Sequence, residues 1–100
     1  MKTYNVFFTR SHVRYYDYCV MLGVRAENQK EASEHVLKTL YGHGNGYYPF
    51  NRCAVEYPMT DKARAKLDKW CKSFGIKYRS FYGVSAEGKR IGYVHPAEVE

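Results

Sequence analysis

At 100 residues, 45% of them apolar and 26% charged, the chain reads as one globular domain, residues 1–100, large enough for a modest core. Its formal net charge of +6 sits wholly in residues 62–79, where Lys62, Arg64, Lys66, Lys69, Lys72, Lys77 and Arg79 face one acid, Asp68. No apolar stretch approaches membrane-spanning length, and three cysteines without CxxC spacing argue against a disulfide framework.

Thr3 to Arg10 alternates, with Tyr4, Val6 and Phe8 on one side and Asn5, Phe7 and Thr9 on the other. A strand-like run so near the start, with no apolar leader segment, argues against a secretory signal and for a cytoplasmic protein. Tyr16 to Ala26 alternates too, its even positions being Tyr16, Tyr18, Val20, Leu22, Val24 and Ala26. Both read as half-buried strands of a hairpin, joined through the basic turn Ser11-His12-Val13-Arg14-Tyr15.

Asn28, with Glu31 three residues on, predicts a capped helix whose inward stripe is Ala32, Val36, Leu37 and Leu40 and which Gly42 ends. Residues Gly42 to Asn51 hold three glycines in five positions and then a proline among rings, which predicts an irregular loop. Cys53, Val55 and Tyr57 mark a third strand, stopped by Pro58. Thr60 caps a second helix, Asp61 complements its dipole, and Gly75 closes it with Ile76 available for the apolar contact of a C-cap. Tyr78 to Val84 and Arg90 to Val94 read as two last strands turning at Ala86-Glu87-Gly88-Lys89. The order ββαβαββ predicts an α+β fold with an antiparallel or mixed sheet and both helices on one face. Cys19 alternates with strand residues and Cys71 lies on an apolar helix stripe, so buried thiols in a reducing compartment are expected.

In the second helix, Ala63, Leu67, Trp70, Cys71 and Phe74 form one apolar face. Lys62, Lys66, Lys69 and Lys72 spread across the opposite side, and Asp68 is placed to pair with Arg64 and Lys72 at i,i+4. Like-charge neighbours cost only about 0.2–0.5 kcal/mol each. Burial of the apolar face contributes roughly 1.5–3 kcal/mol per large side chain. A plainly solvated lysine face is therefore affordable to the fold, and the clustering equally fits a face that tracks phosphates. Lysine in preference to arginine points to backbone contact rather than base reading.

Seventeen aromatic residues, eleven of them Tyr, exceed what so small a core encloses, so several stand exposed. Exposed Tyr beside Lys and Arg suits protein interfaces and stacking on bases. Tyr47, Tyr48 and Phe50 either cover an open edge of the core or form a recognition loop. The glycines preceding them match neither a P-loop nor a dinucleotide fingerprint. His12, His35, His43 and His95 have no metal-ligand spacing. His35 reads as solvated, and His12 lies between Arg10 and Arg14, whose charge disfavours an imidazolium. His12 or His43 with a Tyr is the one acid–base pairing an enzyme reading has available. Catalytic and metal residues are not expected, nor is a cofactor.

Leu22-Gly23-Val24-Arg25-Ala26-Glu27-Asn28-Gln29-Lys30-Glu31-Ala32, a strand ending V-x-A that enters a polar cap and a helix opening E-A, resembles the strand-to-helix junction of small phage-encoded α+β accessory proteins of the anti-CRISPR type. The resemblance implies a non-enzymatic inhibitor that binds a host protein complex in the host cytoplasm. Many such inhibitors are acidic DNA mimics. This chain is basic, so its counterpart contact is an acidic protein patch or nucleic acid itself, and no functional residue carries over.

The expected function is non-enzymatic binding through a basic, Tyr-rich surface. Its residues are Lys62, Lys66, Lys69, Lys72, Lys77, Arg79, Tyr47, Tyr48, Phe50, Arg10 and Arg14, and its partner is nucleic acid or a nucleoprotein complex. The alternatives are a phage-type inhibitor with a protein partner and a small cytoplasmic enzyme. No membrane partner is expected, and an edge strand leaves a homodimer open.

Overall fold

In the computed structural model, residues 1–10, 17–41, 49–76 and 81–100 are described. The described elements are β1 (Lys2–Arg10), β2 (Asp17–Ala26), α1 (Gln29–Leu40), β3 (Pro49–Glu56), α2 (Asp61–Ser73), β4 (Phe81–Val84) and β5 (Arg90–Val94), followed by a 3-10 turn over Pro96–Val99. They form one α+β domain of ββαβαββ order, as expected, with that last turn unforeseen. The sheet runs β3-β1-β2-β4-β5. It is mixed, because β2 and β4 are parallel while β1 is antiparallel to both neighbours and β4 is antiparallel to β5.

The two helices lie on opposite faces of the sheet, not on one. Tyr4, Val6 and Phe8 of β1 join Cys19, Met21 and Val24 in a cluster with Ala32, Val36 and Leu40 of α1. Phe7 joins Val20, Cys53, Val55 and Phe81 in a second cluster with Ala63, Leu67 and Cys71 of α2. The reason lies in β1, which is apolar on both sides: every residue from Tyr4 to Thr9 is buried. Such a strand is not half-buried, and each of its faces needs its own cover.

A bulge in β2 changes which residues share a face. Tyr4 pairs with Val24 and Val6 with Met21, so Leu22 and Gly23 together oppose Asn5. Gly23 takes φ +69, a conformation glycine adopts without steric cost. Tyr18, Val20 and Leu22 therefore face α2, while Val24 and Ala26 join Cys19 and Met21 toward α1. Strict alternation had placed all the even residues together. The buried Asn5 holds the bulge: its Oδ1 accepts from Gly23 N at 3.1 Å and its Nδ2 donates to Val99 O at 3.5 Å.

Asn28, Thr60 and Gly75 cap the helices as expected, while Gly42, expected to end α1, lies outside the described residues. Asn28 Oδ1 accepts from Glu31 N at 2.9 Å, and Thr60 Oγ1 accepts from Ala63 N at 3.1 Å. Gly75, at φ +68, ends α2 with Gly75 N to Lys72 O at 3.0 Å and Ile76 N to Cys71 O at 3.0 Å, the paired bonds of a Schellman cap. The third strand starts earlier than expected, since Pro49, Phe50 and Asn51 belong to it. Pro49 is tolerated because it opens an edge strand.

Candidate nucleic-acid interface

α2 packs through Ala63, Leu67 and Cys71, which leaves Lys62, Lys69 and Lys72 exposed, as the helical spacing requires. Arg64 and Lys66 are half-buried and engaged. Arg64 Nη2 lies 2.9 Å from Glu100 Oε1. The acid paired with it is thus Glu100, where the i,i+4 spacing had pointed to Asp68. Lys66 departs further from expectation. Its Nζ donates to Gln29 Oε1 at 2.6 Å and to Ala54 O at 2.8 Å. β3 is an edge strand, so the ammonium satisfies a carbonyl on the open side of the sheet and reaches on to the start of α1. Its long stem makes that reach possible, and helical phase alone does not reveal it.

Lys66 separates two grooves along the seam of β3 and α2. One, of about 380 Å³, is bordered by Gln29, Glu56, Thr60, Lys62 and Lys66. Glu56 already pairs with Lys2, Oε1 to Nζ at 2.9 Å. The other groove, of about 320 Å³, is lined by Arg52, Cys53, Lys66, Lys69, Trp70 and Ser73. A second bulge shapes this groove, because Phe7 pairs with Cys53 and Thr9 with Phe50, leaving Asn51 and Arg52 opposite Phe8. Asn51 takes φ +55, and its Nδ2 donates to Thr9 Oγ1 at 3.0 Å. Arg52 is oriented by Nε to Ser33 Oγ at 2.9 Å and Nη1 to Pro49 O at 2.7 Å. Trp70 Nε1 donates to Asn51 O at 2.8 Å, and its ring packs 5.1 Å from Phe74 and 6.2 Å from Phe7.

Among the expected site residues, Lys62, Lys66 and Lys69 therefore come together on this seam, with Lys72 exposed further along the helix. Phe50 is 48% exposed on β3, and Arg10 pairs with Pro49 in the ladder beside it. Tyr47, Tyr48, Arg14, Lys77 and Arg79 lie outside the described residues, as do His12 and His43. Arg52 and Trp70 were not expected at the site. Helical spacing puts Trp70 wholly on the core stripe, and the loop signals run on to Asn51, past the start of β3 at Pro49, which hides Arg52.

All three cysteines are buried free thiols, in line with expectation. Burial raises the pKa of Cys53, against a smaller opposing pull from the Lys66 ammonium. Burial likewise pushes Cys71 up to about 11, with the Asp68 carboxylate and Cys53 adding to it. Thiols held protonated in this way are poor nucleophiles. His35 is half-buried rather than solvated: its Nε2 donates to Ala86 O at 2.7 Å and ties the β4–β5 turn to α1. Among the described residues, no three His, Cys, Asp or Glu side chains gather as metal ligands, and no helix is long and apolar enough to cross a membrane.

Comparison with protein-family models, curated proteins and solved structures finds no match.

Proposed function

We propose that this chain is a non-enzymatic binding domain that holds nucleic acid, alone or within a nucleoprotein complex, along the exposed face of α2 and its seam with β3. The observation that carries this reading is the gathering of Arg52, Lys62, Lys66 and Lys69 on two adjoining grooves. The acid bordering them, Glu56, already has a cation of its own. Lys62, Lys69 and Lys72 supply exposed charges suited to phosphate oxygens, and Arg52 one that is already oriented by Ser33 and Pro49. Replacing Lys62, Lys69 and Lys72 by Glu, with Lys66 left in place for the fold, abolishes retention on DNA or RNA. In the unaltered protein three phosphate contacts give a log–log salt slope of about −2.7 on duplex and about −2.1 on single strands. Binding that survives the triple substitution, or that ignores salt, overturns the reading.

A protein partner is the second reading, in keeping with the phage-type inhibitor resemblance. Exposed Tyr41, Phe50 and Tyr93, the last 79% exposed, favour it. Capture of a partner from host lysate that persists after nuclease treatment, and is lost on changing Phe50 and Tyr93 to Ala, distinguishes it from the first.

A further inference from the structure

We propose that the groove lined by Arg52, Cys53, Lys66, Lys69 and Trp70 takes an unpaired nucleobase, so that the ligand is single-stranded nucleic acid; this rests on the preceding reading. Two features of the groove converge on a nucleotide. Its described lining includes the exposed Lys69, together with Lys66 and Arg52, whose charges are partly engaged elsewhere, and no carboxylate, which favours an anionic occupant. Its volume of about 320 Å³ is at the low end for small-ligand pockets, and an aromatic residue forms part of the wall. An anion that also offers a flat ring meets both conditions.

Trp70 is suited to receive that ring. The indole is held by the Asn51 carbonyl and by contacts with Phe7, Tyr18 and Phe74, so stacking on it requires little further ordering. A duplex keeps its base faces stacked on one another, whereas a single strand presents them to protein rings. Lys62, two helical turns before Lys69, and the exposed Lys72 carry the positive track beyond the groove in both directions. A strand longer than one nucleotide thus finds cations on each side of the inserted base.

Trp70 is the only tryptophan, so its fluorescence reports on the groove directly. The full chain is titrated at 50 mM salt with dT and rU 12-mers, an abasic 12-mer and a 12-base-pair duplex. The base-bearing strands are expected to quench Trp70 and to bind about 10-fold more tightly than the abasic strand, corresponding to about 1.4 kcal/mol. Comparison of dT with rU shows which sugar is preferred. Because the abasic comparison uses the unaltered protein, it does not depend on a Trp70 variant folding. Equal binding of abasic and base-bearing strands with unchanged emission overturns base insertion and leaves the polyanion reading standing, as does tighter binding of the duplex. Failure of every strand and the duplex to bind overturns both.

Discussion

Trp70 Nε1 donates to the carbonyl of Asn51 at 2.8 Å, fastening the helix that carries the lysines to the bulge that carries Arg52. The bulge depends in turn on Asn51 at φ +55, a backbone region that Asn visits more readily than most side chains. Changing Asn51 to Ala retains that backbone demand and removes the bond to Thr9. We expect a loss of about 1–3 kcal/mol in urea denaturation. A loss below about 0.5 kcal/mol would show that the bulge does not need Asn.

Lys66 should matter to stability in a way its neighbour does not. Changing Lys66 to Met keeps the stem and removes the bonds to Gln29 and Ala54, and should cost about 1–2 kcal/mol. Lys69→Met, on the exposed turn, should stay within about 0.5 kcal/mol. Equal denaturation midpoints for the two variants would contradict the edge-capping role.

Gly83 has no room for a side chain. A Cβ there meets Val94 Cγ2 and comes within 3.2 Å of Gly92 O, so the buried Val94 side chain would have to turn aside and β5 to give by a few tenths of an ångström. Gly83→Ala should destabilise by about 1–3 kcal/mol, lowering the melting temperature by several degrees. An unchanged melting temperature would argue against the close approach of the two strands.

The Cys71 thiol predicts an alkaline decline. An unfolded thiol titrates near pH about 8.5, whereas the folded one holds its proton to about pH 11. Between those values the native state binds more protons than the unfolded chain, so stability falls as pH rises. Urea midpoints at pH 8, 9, 10 and 11 should fall more steeply in the wild type than in Cys71→Ala. Parallel declines would clear Cys71 of the effect.

Arg64 and Glu100 provide a contrasting case. Both side chains are close to half exposed, at 43% and 46%, so water screens their attraction. Glu100→Gln should change stability by less than about 1 kcal/mol, and a larger loss would mean that Glu100 does more than pair with Arg64.

What could be read from the residues was local. Asn28, Thr60 and Gly75 announce their helix ends because a cap is a contact within a few residues of chain. The phase of α2 was legible for the same reason, so Lys62, Lys69 and Lys72 were expected at the surface and are found there. The placement of the helices was not read, although the buried pair Phe7 and Phe8 carried the signal: adjacent large rings on one strand need cover on both sides. Gly23 was visible as a glycine, but its effect on the facing of Val24 depends on pairing with β1. Lys66 and Arg52 depend on partners 12 to 37 positions away, at Ala54, Ser33 and Gln29. Their roles arise only when the strand edge and both helices are assembled.

The dual hold of Lys66 gives the molecule a mechanical link between its two sides. One ammonium belongs at once to α2, to the rim of β3 and to the opening turn of α1. The helices α1 and α2, on opposite faces of the sheet, are therefore joined around the β3 edge by a single side chain, and removing its ammonium would release both from that rim together.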